Sequence, residues 1–454
     1  MLASITRFTP RLGSFSEGLV AYRAARLQLC LSKLHGLESV AASTLRARAF
    51  LRLGDAEAAL AGLADPYDRD FESSDRAELT LLQGVAQSRL GNIDQSRDLF
   101  RDAFVYSISS TNPALEAEVE FYKGLTALGN NSLDEAIAAC HRGLEIANEP
   151  RTFPKTESSI PLGHVVARIH ELLAVIASSD GRYSDATQHA RLSLVTHDAC
   201  AVHDVYIQAF ALRNLAIAAR DFDLTEEARL LFSRVPALAW TEDVSSVEFT
   251  TVEALGWCSA LRGDSVNALR LFRHASFTAS SVPEHVLVSV DRALLAREFG
   301  HQSMVVEEVE YAVKIASGFD WEKAAGDHRV ALLTLAQVAA SVAPGDARAM
   351  LDRHIALRNS IDVTFAARIE PRARAEEAYT QGLVLRSEGR ITASMERLEV
   401  AFETWKTIGY EWRAARAALE LTELEAGDVF RLAVRRELFQ RPDSIFSMRA
   451  RLVA

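Results

Sequence analysis

Residues 251–275 read TVEALGWCSALRGDSVNALRLFRHA. Leu255 and Gly256 stand inside an apolar run of helical period, and Gly263-Asp264 interrupts it. Glycine ends a helix by taking the left-handed backbone just past its last turn, and an aspartate after it accepts hydrogen bonds from the first free amides of the next helix. Behind that turn Ala268, Phe272 and Ala275 recur at i, i+4 and i+7, on one helical face. Gly256 and Ala268 are small, as two helices require where their backbones come close, and Phe272 is large enough to fill the space between hairpins. The stretch predicts an antiparallel helical hairpin.

The same pattern returns along the chain. Gly84, Gly91, Phe100 and Ala103 repeat it, as do Gly124, Asn131, Leu133 and Ala136. Further copies stand at Ala174, Gly181, Tyr183 and Ala186 and at Ala216, Asp223, Ala228 and Phe232, with Gly54, Ala59 and Leu63 as a degraded earlier one. Fainter units cover 300–312, then Gly382, Gly389 and Ala401, with another near Gly345 and Ala349. Successive turns lie about 37 to 50 residues apart, longer than an ideal repeat of about 34, so several hairpins carry extended helices or loops. Proline, which breaks a helix interior, falls between units at Pro66, Pro113, Pro150, Pro154, Pro161, Pro236, Pro283 and Pro371. No segment alternates apolar and polar residues as a half-buried strand does, so the expected fold class is all-α. The expected organisation is an N-terminal helical cap over 1–36, a repeat array over 37–424 with a joint at 148–162, and a capping helix and tail over 425–454.

These residues resemble the tetratricopeptide (TPR) repeat family, through Leu255-Gly256, Gly263-Asp264, Ala268, Phe272, Ala275 and their echoes. Most units lack the large aromatic of the family's first helix and its closing proline. The resemblance implies a right-handed superhelix, an α-solenoid of TPR-like hairpins whose first helices line a concave groove for peptides or partner helices. Residues 405–416, WKTIGYEWRAAR, followed by Pro442-Asp443-Ser444, are similar to the end of the repeat module in LuxR-type bacterial transcription regulators. In those a helix-turn-helix follows; no segment up to Ala454 reads as a recognition helix, so the expectation is regulation through a partner.

Composition narrows the function classes. The 454 residues are 49% hydrophobic and 24% charged, ordinary for a soluble globular chain. A net charge of −11 repels a phosphate backbone unless basic residues gather on one face, so direct nucleic-acid binding is disfavoured. Cys30, Cys140, Cys200 and Cys258 form no CxxC pair and read as buried thiols of a reducing compartment. No apolar run reaches the length of a membrane span, the nearest being 331–343. Arg7, Arg11, Arg23, Arg26 and Lys33 against Glu17 give the start a weak likeness to an organelle transit peptide, but a cytoplasmic bacterial start is the simpler reading.

Placed on the family pattern, Phe210, Arg213, Arg220, Trp257, Arg297, Tyr379 and Arg386 fall on the groove side of first helices, with Arg220, Arg297 and Arg386 at one shared position. Such an arginine ladder with aromatic neighbours suits a ligand carrying acidic groups, because guanidinium binds carboxylates bidentately and stacks on rings. The competing reading pairs these arginines with Glu or Asp of adjacent helices. His197, Cys200 and His203 recur at three-residue intervals with Asp204 beside them, a candidate metal set that matches no established zinc spacing. The segment from Val429 carries Arg431, Arg435, Arg436, Arg441, Arg449 and Arg451 against Glu437 and Asp443, which suits either a solvated cap or docking to an acidic surface. Phosphate-loop, dinucleotide, nucleophile-elbow and HExxH patterns are absent, and no cofactor is implied.

The reading is a non-enzymatic module that binds a protein or peptide and regulates or scaffolds, with transcription control through a partner as one role. Two alternatives stay open: a metal or enzyme site centred on His197, Cys200 and His203, and a helical-repeat RNA binder, which needs a continuous basic groove.

Overall fold

The computed structural model describes residues 14–66, 71–130, 132–149, 160–179, 182–222, 224–234, 245–323, 330–360, 371–424 and 427–453. Among them every regular element is helical. Antiparallel pairs follow one another: Phe15–Arg23 with Leu27–Leu34, Val40–Arg52 with Ala56–Ala61, Ser73–Arg89 with Ile93–Ser109, and Pro113–Gly129 with Leu133–Asn148. Leu162–Ser179, Tyr183–Asp198, Val205–Phe222 and Thr225–Arg234 come next. Then Ser245–Leu261 pairs with Ser265–Thr278, Val282–Glu298 with Gln302–Ser317, Val330–Ala339 with Pro344–Ser360, and Pro371–Ser387 with Ile391–Thr407. Glu411–Glu423 pairs with Asp428–Gln440, and Ser447–Val453 ends the described chain.

The helices form two compact units. Of the described residues, the first takes those up to Ile176 and Arg191–Ala211; the second takes Ala177–Ala190, those between Leu212 and Arg234, and those from Ser245 onward. Each unit is an all-α stack of TPR-like hairpins with its own apolar core. In the first, Leu81, Phe100, Ala117 and Ile169 are buried; in the second, Phe272, Trp321, Trp405 and Ala417.

One geometric rule builds the hairpins. A small residue in the first helix faces a larger one 16 positions later in the second: Gly84 meets Phe100, Gly124 meets Cys140, Gly256 meets Phe272 and Gly382 meets Leu398. A methyl group placed on Gly256 would lie 2.5 Å from the Phe272 ring, so only glycine lets the two backbones come this close. Four residues before the large one, Ser96 donates from Oγ to the Gly84 carbonyl and Ser394 to that of Gly382, both at 2.8 Å. The turns follow the sequence reading: Gly263 has φ +79°, and the Asp264 carboxylate accepts from the Asn267 N–H at 3.1 Å. Pro113 and Pro283 open helices, where their missing N–H costs nothing.

Some expectations shift. Gly345 stands in the first turn of the helix Pro344–Ser360, so the turn of that unit lies just before it. The helix Asp428–Gln440 packs on Glu411–Glu423 as the second half of a hairpin. The joint at 148–162 begins at the end of Leu133–Asn148, but residues 150–159 lie outside the described residues. So do Arg7, Arg11, Pro236 and the turn residues Asn131, Gly181 and Asp223. No described helix is long and apolar enough to cross a membrane.

Candidate functional site

The shared position of Arg220, Arg297 and Arg386 is the last turn of a first helix, and each of the three meets a carboxylate of this chain. Arg220 donates from Nε to Asp221 Oδ1 at 2.9 Å and from Nη1 to Glu253 Oε2 at 3.2 Å. Arg297 donates from Nη2 to Glu298 Oε1 at 3.1 Å. Arg386 Nη1 reaches Glu420 Oε2 at 2.8 Å and Glu423 Oε2 at 3.2 Å. In place of an open ladder the second unit holds internal ion pairs, the competing reading of the sequence. Trp257 is 6% exposed and donates from Nε1 to Asp291 Oδ1 at 2.9 Å, and Tyr379 is 0% exposed, so neither offers a free surface. Arg213 donates to the Asn214 side chain. Phe210 lies in the first unit, its ring 4.7 Å from that of Tyr206.

The hub of the second unit is Asp221, a residue the sequence reading did not select. Besides Arg220, it accepts from the Tyr410 hydroxyl at 3.0 Å and faces Arg372 at 3.2 Å. Burial alone would raise its pKa, but the guanidinium groups of Arg220, Arg372 and Arg413 outweigh burial and hold the carboxyl well below the usual range. Arg413 is ion-paired with Glu376, whose other oxygen accepts from the Gln337 amide at 3.1 Å. Around Asp221 the interior is charged, and there carboxylates and guanidinium groups face one another.

The first unit differs. Arg48 is bidentate to Glu118 at 2.6 and 2.8 Å and donates to Glu78 at 3.0 Å. Arg52 donates to Asp204 at 2.8 Å while its guanidinium lies 3.8 Å from the Tyr22 ring centre and 4.4 Å from that of Tyr206. Arg168, on the helix Leu162–Ser179, lies 4.2 Å from the Phe121 ring centre and donates to the Tyr122 hydroxyl at 3.3 Å. Among the described residues that hydroxyl is its only hydrogen-bond partner; the carboxylates of Glu118 and Glu171 are near enough to favour its charge but form no ion pair with it. Burial would push the Tyr122 phenol up, but Arg168 beside it pulls it net below its ordinary value. Tyr206, raised by burial, is opposed by the charges of Arg52, Arg168 and Arg89. Three cations and three phenols thus share one region, and the half-buried Arg168 guanidinium is in contact with a phenol, while the Glu118 and Glu171 carboxylates act on it only from beyond ion-pair distance. A sequence signal existed: Glu78, Glu118 and Arg168 each stand six residues before the small residues Gly84, Gly124 and Ala174.

The candidate metal set resolves into hydrogen bonds. His197 is buried, and its Nε2 accepts from the Asp204 N–H at 3.2 Å. The Cys200 thiol donates to the Thr196 carbonyl at 3.3 Å. His164 donates from Nε2 to the Val202 carbonyl at 2.6 Å and stacks on His197 at 5.5 Å, with the His203 ring 5.7 Å from His197. Burial lowers the pKa of His164 and His197, favouring neutral rings. Among the described residues no three His, Cys, Asp or Glu converge as metal ligands.

No protein-family model and no curated protein matches this chain. Solved helical-repeat structures do. A Rap protein complexed with competence and sporulation factor is 11% identical with a TM-score of 0.48, covering 81% of this chain and 98% of that one. A monomeric mutant of IFIT1 with Gppp-AAAA is 13% identical with a TM-score of 0.47, covering 97% and 96%. The Cut9–Hcn1 hetero-tetramer of APC/C is 12% identical with a TM-score of 0.31, covering 95% and 88%. The hairpins described above make the fold a TPR-like helical repeat.

Proposed function

We propose that the chain is a protein- or peptide-binding repeat module without catalysis of its own, and that a carboxylate of its partner docks on Arg168 in the first unit. The observation that carries this is the guanidinium itself, which lies on the Phe121 ring and holds only a phenol. A half-buried cation with no carboxylate in direct contact is a site ready for one, and the half-buried Tyr206 beside it offers a ring face and a hydroxyl for an adjoining group. The acidic character of the partner expected from the sequence is retained, transferred from Arg220, Arg297 and Arg386 to Arg168. Any part in transcription control runs through that partner, in the cytoplasm.

An array of acidic and neutral peptides tests the reading. The natural chain should retain acidic peptides, and Arg168→Ala should weaken them about tenfold or more, the size expected for one charge-assisted contact. Arg348→Ala, which removes an exposed pair with Glu388, should leave binding unchanged. Equal retention by natural chain and Arg168→Ala would sink the proposal.

A further inference from the structure

After the helix Asp428–Gln440 the chain turns back on its own unit. The Ile445 N–H donates to the Ala260 carbonyl at 3.2 Å, and Phe446 stacks on Trp412 with ring centres 6.2 Å apart and planes 11° from parallel. The helix Ser447–Val453 then carries Arg449 in among three carboxylates. Its Nη2 donates to Glu423 Oε1 at 2.8 Å and Glu420 Oε1 at 3.1 Å, and its Nη1 to Glu298 Oε1 at 3.3 Å. The segment therefore engages three first helices, Ser245–Leu261, Val282–Glu298 and Glu411–Glu423, through one main-chain bond, one ring and one cation.

The fit is incomplete. Glu298 Oε2 and Trp412 Nε1 have no hydrogen-bond partner among the described residues, although both residues are 2% exposed. A buried carboxylate oxygen and a buried indole N–H each give up hydration here without recovering a bond. A segment that supplied a donor to the first and an acceptor to the second would bind better than the resident one.

We propose that the cleft made by Glu298, Glu420, Glu423 and Trp412 is a binding site for an arginine-bearing peptide segment of a partner, and that residues 444–453 fill it as an exchangeable resident ligand. Arginine is the side chain the cleft selects, because its planar fork reaches separate carboxylates at once where a lysine would act as a point charge. The Trp412 face takes a ring or apolar group three residues earlier, as Phe446 does for Arg449. This site shares no residue with the Arg168 region and wants the opposite charge, so it stands whether or not that reading does.

The full chain carrying Phe446→Ala and Arg449→Glu, which disarms the segment in place, is titrated with a labelled peptide of the natural sequence 442–454. The variant should bind the peptide at least about tenfold more tightly than the natural chain, whose cleft is filled. Binding should vanish when the peptide carries Arg449→Glu. Failure of a helical, folded variant to bind it overturns the proposal. Should the variant lose its helical signal, hydrogen exchange of the natural chain decides. Amides of 444–453 are expected to exchange faster than those of Val282–Glu298 and Glu411–Glu423, and equal protection would show the segment to be permanent core.

Discussion

Asp291 and Asp221 are buried aspartates of the same unit, and their surroundings drive them in opposite directions. Asp221 is ringed by guanidinium groups and stays ionised. Asp291 is raised well above the usual carboxylate range, first by burial and then by the neighbouring Glu253 carboxylate. Its Oδ1 accepts from the Trp257 indole, a bond that a neutral side chain makes equally well. The linkage has a definite sign. Below about pH 4, the ordinary aspartate value, Asp291 is protonated in folded and unfolded chains alike; as pH rises toward its raised folded value the unfolded chain loses the proton first, so stability falls. Asp291→Asn keeps the acceptor and removes that loss. Its melting temperature should match the natural chain near pH 4 and exceed it at pH 8, by roughly 1 °C for each kcal/mol recovered in a chain of 454 residues. A variant less stable at every pH would mean that Asp291 is ionised and held by Arg220. None of this was legible in the sequence: Asp291 lies 34 residues from Trp257, and no local pattern marks the pair.

At the scale of the element much more was legible, because hairpin formation is local. Gly91 and Gly263 take positive φ where a helix must end, and Gly84 and Gly256 sit where a second helix crosses closely; both roles show as glycine at regular intervals. Partners one hairpin away did not show, which is why Arg386 read as a groove residue: its carboxylates, Glu420 and Glu423, lie 34 and 37 residues on. The crossing rule makes a sharp prediction. Gly256→Ala puts a methyl 2.5 Å from the Phe272 ring, and overpacking of that kind costs about 1–3 kcal/mol. Gly345→Ala adds a methyl with nothing within 4 Å in a helix without positive φ, and should be neutral or stabilising by up to about 1 kcal/mol. Denaturant midpoints of the two variants check this. If Gly256→Ala is as stable as Gly345→Ala, the glycine is not what brings the helices together.

At the scale of the whole molecule the chain carries a net charge of −11, and composition alone gave that. Where the cations go was hidden, since Arg449 and Glu298 are 151 residues apart in sequence. Arg48, Arg52, Arg220, Arg386 and Arg449 are each bonded to acidic side chains of this chain, so they cannot join a continuous basic track without breaking those bonds. A single strand of RNA is held by several cations acting together, each releasing counterions and steepening the salt dependence. Arg168, the cation of the proposed site, is too few by itself. A labelled oligouridylate should therefore bind more weakly than about 10⁻⁴ M at physiological salt, the weak end of non-specific binding, and Arg168→Ala should hardly change it. Micromolar affinity that falls with a log–log salt slope near −3 or steeper would mean that four or more basic side chains act together on the surface, and would turn the functional reading from peptide to RNA.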